Sequence, residues 1–266
     1  MASLAKYINV NAENIDKIMS VEVANIGLIN GIAFPAGGYY ASAAEAAADG
    51  MITYWGMREG SGNPTDSIVS TGGGTLSLSN TSWTSSIPKF GSYCLSFTGT
   101  GVQSQYPEWL FSGKQSWTIC TWAWRDSAVW GYIAAEPYIV GGHHNNGGMY
   151  FAWSAAGNLQ AGTYGLYWDH ASTGTITTTG SWVHIAHTKS STQSIFYANG
   201  SPLASPMSTT YTVGAATYRG VGNSWTDGSA PNGSFTGKMQ DFGFWTRALS
   251  PAEISNIYNT EVPLIA

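Results

Sequence analysis

A chain of 266 residues is long enough to bury a sizeable core, and its 33 Gly, 10 Pro and 14% aromatic residues, with only 9% charged, describe many short strands joined by tight turns. Ten basic residues against fifteen acidic ones leave a net charge of -5 with no basic cluster, which argues against nucleic acid and anionic membrane surfaces as partners. Twelve Trp and fifteen Tyr are more rings than one core needs, so some are expected on the surface.

The first element is an isoleucine-rich arm, residues 1–35. Ile8, Ile15, Ile18, Val21, Val23, Ile26, Ile29 and Ile32 recur mostly every third residue, interrupted by Asn and Gly. A segment this short cannot bury such side chains by itself, so it is expected to dock. Either Ile15, Ile18, Val21, Val23, Ile26, Ile29 and Ile32 form an assembly interface with other proteins, or the arm packs on its own chain's sheets. The phrase Ala24-Asn25-Ile26-Gly27-Leu28-Ile29-Asn30-Gly31-Ile32-Ala33-Phe34-Pro35, after Asn14-Ile15-Asp16-Lys17-Ile18, resembles a short repeated pattern near the start of many bacteriophage virion proteins. Met1 to Lys6 leads into no continuous apolar run, so no export signal is expected. No run of about twenty apolar residues predicts a membrane span.

Residues 36–50 read as a linker. Gly37-Gly38 is flexible, and Ala41 to Ala48 has strong helix propensity without an amphipathic face.

Residues 51–266 read as one β-rich body. Phe97, Trp122, Trp182, Ile185, Phe235 and Trp245 are expected to pack between two sheets. Cys94 and Cys120 lie in expected strands, as a pair if the strands are neighbours and otherwise as buried free thiols. Ala198-Asn199-Gly200-Ser201 is the clearest hairpin signal, because Asn-Gly tolerates the positive φ angles of a type I′ turn.

A second set of rings sits among Gly, Asn, His and Asp. Trp124, Trp130, Tyr132, His143, His144, Asn145, Trp168, Trp225 and Asp227 mix flat rings with planar polar groups, which suits a carbohydrate cleft. The same mixture suits protein contacts, and ordinary packing is the third explanation for any one ring.

The chain closes with an alternating strand, Gly237 to Trp245, that runs into a helix start. Ser250 suits the cap, Pro251 the first turn, Glu253 completes a capping box, and Leu249 with Ile254 forms a staple. This ending, G-K-M-Q-D-F-G-F-W-T-R-A-L-S-P-A-E-I-S-N-I-Y, resembles the C-terminal signature of laminin-G-like, concanavalin-A-like jelly-roll domains. Four earlier segments match in order: Tyr54 to Glu59 with Asp66, Tyr93 to Gly99, Trp117 to Ala123, and Trp182 to Thr188 leading to Phe196 to Gly200. The resemblance spans about residues 51–260. It implies an all-β fold, an antiparallel two-sheet jelly-roll sandwich with one short C-terminal helix behind the small N-terminal docking arm.

The family often carries a structural calcium ion, and Asp66 and Asp241 are the matching acids, with a plain surface role for Asp66 as the alternative. No other cofactor is implied. The related glucanases use a strand with Glu-x-Asp-x-x-Glu, and no such run occurs here; the fifteen acids are scattered and no Ser-His-Asp order stands out, so catalysis is not expected. Together these features point to a bacteriophage virion protein, a capsid decoration, fibre or tail adhesin. Its arm binds other virion proteins and its jelly roll, as a homo-oligomer, meets a cell-surface glycan. A secreted or cell-surface carbohydrate-binding module is the alternative, and a glycoside hydrolase the third.

Overall fold

The computed structural model describes residues 28–29, 32–33, 38–68, 74–98, 104–105, 113–136, 139–140, 143–144, 149–163, 167–171, 174–209, 213, 220–222 and 234–265; of these, 28–29, 32–33, 104–105, 132, 134–136, 139–140, 143–144, 163 and 167–171 are described for the backbone only. In chain order the first strands are β1 (Leu28–Ile29), β2 (Ile32–Ala33), β3 (Met51–Trp55), β4 (Ser77–Leu78), β5 (Thr81–Thr84), β6 (Cys94–Thr98), β7 (Ser104–Gln105), β8 (Trp117–Arg125), β9 (Gly131–Glu136) and β10 (Ile139–Val140). There follow β11 (His143–His144), β12 (Met149–Trp153), β13 (Leu159–Thr163), β14 (Tyr167–Ala171), β15 (Trp182–Lys189), β16 (Gln193–Ala198), β17 (Ser201–Pro202), β18 (Met207–Ser208), β19 (Gly220–Val221) and β20 (Thr236–Trp245). Helix α1 (Ala43–Ala48) precedes β3, and α2 (Pro251–Asn259) follows β20.

Two antiparallel sheets face each other. The larger runs β17-β16-β15-β8-β20-β6-β5, with β18 beside β16 and β3 beside the second half of β20; the smaller runs β14-β13-β12-β9-β19. Period-two alternation decides what each strand buries. On β8, Trp117, Ile119 and Ala123 point inward, and on β15, Val183 and Ile185 do; they meet Ile133, Phe151 and Trp153 of the smaller sheet in a dry core.

The outward side of the larger sheet is partly roofed. Cys120, Ala186, Tyr197 and Trp245 lie under Ile254 and Ile257 of α2, with Tyr40, Ala46, Leu249 and Leu264 completing a second apolar cluster. Burying each isoleucine stabilises by roughly 1.5–3 kcal/mol. Helix α2 starts as its sequence predicts: Ser250 Oγ accepts the Glu253 N–H, Glu253 returns the bond to the Ser250 N–H, and Pro251 fills the first turn. Leu249 and Ile254 are buried in one cluster, as a staple requires.

Strand β20 lies between β8 and β6, and its ladder with β8 shifts between Gln240 and Gly243. Asp241 sits in that irregularity at φ 62°. At Gly237, with φ 147°, a Cβ would come within 1.8 Å of the Trp124 carbonyl oxygen, so only glycine lets β20 lie this close to the end of β8. The expected hairpin is present, with Asn199 at φ 48° and Gly200 at φ 75° between β16 and β17.

Several expectations need correction. Phe97, Ile185 and Phe235 are in the core as anticipated, but Trp122, Trp182 and Trp245 are not between the sheets. Each is one residue out of step with its strand's inward positions, so the pleat turns it outward. Residues 38–50 do not form a free spacer: Tyr40 and Ala46 are buried, and the Tyr39 and Tyr40 N–H groups donate to the Pro263 and Leu264 carbonyls. Small alanines without an amphipathic face still allow a close approach of α1 to the sheet. Cys94 and Cys120 are buried and free, on β6 and β8 with β20 between them. Strands β1 and β2 pair with each other as a separate hairpin, which places Ile29 opposite Ile32. Ile15, Ile18, Val21, Val23 and Ile26 lie outside the described residues.

Candidate functional site

The uncovered end of the larger sheet's outward face carries the candidate site. Strand order β15-β8-β20 and antiparallel register build it as cross-strand rows. Trp182 and Lys238 both oppose Trp124 in the first row, His184 and Gln240 both oppose Trp122 in the second, and Ala186 and Gly243 oppose Cys120 in the third. Helix α2 roofs the third row, and a loop spanning 85–93 with Tyr258 roofs the second. Among the described residues none roofs the first row, where Trp124 and Trp182 stay part-exposed.

In the open row the Trp124 and Trp182 rings lie 6.0 Å apart at 68°, and both are part-exposed. Their polar edges are already satisfied: Trp124 Nε1 donates to Asp126 at 3.0 Å, and Trp182 Nε1 donates to the Ile87 carbonyl at 2.8 Å. What they offer a ligand is therefore apolar ring surface. Lys238 Nζ lies 5.1 Å from the Trp124 ring centroid and 3.2 Å from Asp126, so charged hydrogen-bonding groups of both signs border the rings.

The second row supports the first. Trp122 and His184 are buried, with ring centroids 5.3 Å apart, and Tyr258 approaches Trp122 at 5.7 Å. Gln240 spends its whole carboxamide on the roof. Its Oε1 accepts from the Lys89 and Phe90 N–H groups, and its Nε2 donates to the Phe90 and Tyr93 carbonyls, at 2.7–3.0 Å. That clamp sets Phe90 edge-on to Trp122 and Lys89 Nζ 3.9 Å above the Trp122 ring. Burial, with help from the Lys89 charge, pushes the His184 pKa down to about 3, so the imidazole is neutral. Ile87, at the tip of the loop, is 55% exposed and sits at φ 57°, a strained conformation for a β-branched residue.

The core closes at the same end. Arg125, next after Trp124 and pointing inward, is buried 4.2 Å over Trp153 and donates to the Ser154 and Ile176 carbonyls at 2.8 and 2.9 Å. Burial lowers its pKa, and the two carbonyls stand in for a carboxylate partner.

A family model described as the Concanavalin A-like lectin/glucanases superfamily matches residues 98–255, more than half of the chain. The chain belongs to that superfamily. Solved structures agree on the fold at low identity. A mutant Trypanosoma rangeli sialidase displaying trans-sialidase activity superposes with a TM-score of 0.58 at 13% identity, over 81% of this chain and 34% of that one. Domain 4 of AbnA, an extracellular arabinanase from Geobacillus stearothermophilus, solved with arabinotriose, gives 0.58 at 15% identity over 79% of this chain and 98% of that one. The binding domain of Paraclostridial Mosquitocidal Protein 1 gives 0.54 at 13% identity, over 80% and 52%. The chain thus spans about a third of the sialidase it matches. No curated protein matches it in sequence.

On this superfamily sandwich, the ring-rich residues singled out from the sequence fall on different surfaces. Trp124 is in the open row. Trp130 belongs to the outward side of the smaller sheet, packed with Tyr150 and Ala152, its Nε1 donating to Gln160 at 3.2 Å. Tyr132 pairs with Ala152 in the β9–β12 ladder, Trp168 lies in edge strand β14, and His143 and His144 form β11 against β10. Asn145, Trp225 and Asp227 lie outside the described residues. Trp182, Lys238, Gln240 and Lys89 were missed. The inward alternation of Val183 and Ile185 was the available signal for Trp182.

Asp66 and Asp241 both converge on Tyr54. Asp66 Oδ1 accepts the Tyr54 and Ile68 N–H groups at 2.8 Å, while Asp241 accepts the Tyr54 hydroxyl at 2.5 Å and the Leu264 N–H at 3.0 Å. This donor set does not fit calcium. The hydrogens already pointing at Asp66 Oδ1 and at both Asp241 oxygens disfavour a cation there, and among the described residues no three His, Cys, Asp or Glu side chains gather. Both acids instead brace Tyr54, one at each end of the residue.

Proposed function

We propose that this protein is a non-catalytic carbohydrate-binding sandwich, displayed on a larger assembly by its isoleucine-rich arm, with a bacteriophage virion as that assembly. One observation carries the binding half: two part-exposed indoles stand in cross-strand register at the only unroofed row of the described β15-β8-β20 face, with both N–H groups satisfied internally. Such rings present apolar surface to the C–H faces of a sugar while Lys238 and Asp126 reach its hydroxyls. The same sandwich in domain 4 of the arabinanase was solved with arabinotriose, which favours binding over other uses of the fold. Among the described carboxylates, Asp49, Asp66, Asp126, Asp241 and Glu253 are engaged in hydrogen bonds or ion pairs within the chain, which favours a role without hydrolysis.

Glycan-array binding by the full chain, followed by calorimetry with the best sugar, tests this. Trp124→Ala and Trp182→Ala are each expected to weaken binding about tenfold, on the scale of one lost aromatic contact. Silence on every sugar, or binding by both variants as tight as that of the unsubstituted chain, removes the carbohydrate reading.

A further inference from the structure

Among the described residues, Lys89 is the one group beside the open row whose charge has no counterpart. Its ammonium stands over Trp122, and among the described residues no carboxylate pairs with it. The side chains around it are neutral: Phe90 from its own loop, Trp122 from β8, His184 from β15, Gln240 from β20 and Tyr258 from α2. The nearest cation of the row, Lys238, is already matched by Asp126. The patch is thus locally positive on a chain whose net charge is -5. Lys89 is also held in place, because Gln240 fixes its backbone from below and the Trp182 indole bonds the Ile87 carbonyl two residues before it.

Resting on the carbohydrate reading above, we propose that this face selects acidic glycans, with a sugar ring against Trp124 and Trp182 and its carboxylate or sulfate on the Lys89 ammonium. Trp122 and Trp124 are two residues apart on one strand, about 7 Å, so one sugar reaches from the open rings to the charge. A fixed ammonium bordered by apolar rings gives a charged hydrogen bond more weight than an isolated surface lysine does. An acidic peptide shares the anion but has no ring of C–H groups to lay on two indoles.

The test prints uronic, sialic and sulfated oligosaccharides beside their methyl-esterified or desulfated counterparts, and probes them with the full chain. The leading pair is then titrated by calorimetry together with triglutamate. The acidic member is expected to bind about five- to tenfold tighter than its neutral twin at low salt, with the ratio shrinking at high salt. Lys89→Met brings the ratio to about one, and Lys89→Arg keeps it. The carboxylate and sulfate series identify which anion is taken. Binding without any preference for the acidic member, or a preference that survives Lys89→Met, overturns the proposal while leaving carbohydrate binding intact. Triglutamate binding as tightly as the sugar overturns its carbohydrate part. No binding to any sugar removes both readings together.

Discussion

Asp241 shows how one residue sets a response that no neighbouring sequence pattern announces. It is buried in a left-handed conformation; its Oδ1 accepts from the Tyr54 hydroxyl, and the Leu264 N–H is shared between Oδ1 and Oδ2 at 3.0 Å. Burial raises its pKa from 3.8 to about 6, against the pull of those hydrogen bonds and of Arg58. Around it stand Tyr54 and Arg58 from the β3 side, Cys120 from β8 and the backbone of Leu264. Between pH 4 and 6 the folded protein holds a proton that the unfolded chain has released. Stability from this group is complete below about pH 4 and is lost as pH rises through 6, by about 3 kcal/mol. Asp241→Asn keeps the accepting Oδ1, tolerates the positive φ and never ionises. Urea denaturation is therefore expected to find the variant about 1–3 kcal/mol more stable at pH 8, with the gap closing toward pH 4.5. A variant weaker than wild type at pH 8 contradicts the assigned charge state.

At the scale of elements, what was legible in the sequence was local. The capping box of α2 and the Asn199-Gly200 turn depend on residues a few positions apart, and each is found where the pattern put it, whereas the alternation read along Gly237–Trp245 changes phase at the irregularity holding Asp241. The order β15-β8-β20 depends on pairing between distant segments, so the row of Trp182, Trp124 and Lys238 could not be assembled from spacing alone. Trp182 was assigned to the core because large rings usually pack there, and register overruled that tendency. Helix propensity of the alanine run was legible, whereas its docking was not, since docking is decided by Tyr40 and by residues 263–265 at the other end of the chain. The α2 start also ties elements together: Glu253, which caps the helix, bonds Arg247 at 2.6 Å, and Arg247 holds Asp49 just after α1 at 2.6 Å. Ser250→Ala removes one cap bond and loosens this corner. It is expected to destabilise by about 1 kcal/mol, seen as a melting temperature roughly 2–4 °C lower by calorimetry. An unchanged melting temperature means that packing of Ile254 and Ile257 holds the helix without its cap.

At the scale of the whole molecule, the entry of the chain and the open row lie at opposite ends of one face. Tyr40 accepts a hydrogen bond from Trp245 Nε1 at 3.1 Å, and Trp245 opposes Thr118 on β8. Trp124 is six residues further along that strand, roughly 20 Å away. In the proposed role, an arm anchored ahead of Tyr39 leaves the tryptophan row at the far end, the orientation a displayed binding head requires. The described bonds that tie the start of the chain to the body begin at Tyr39 and Tyr40, while β1 and β2 pair only with each other in backbone register. Deleting residues 1–35 is thus expected to leave the melting temperature within about 2 °C and the affinity of a single head for sugar unaltered. If the proposed virion role holds, the same deletion is expected to abolish incorporation into particles and, with it, the gain in apparent affinity that many linked copies confer, on the order of a hundredfold. Calorimetry on the isolated body and particle reconstitution with full-length and shortened chains separate the outcomes. Loss of folding on deletion makes the arm a part of the sandwich. Normal incorporation without it moves the assembly contact to the body and leaves a free-standing carbohydrate-binding module as the better description.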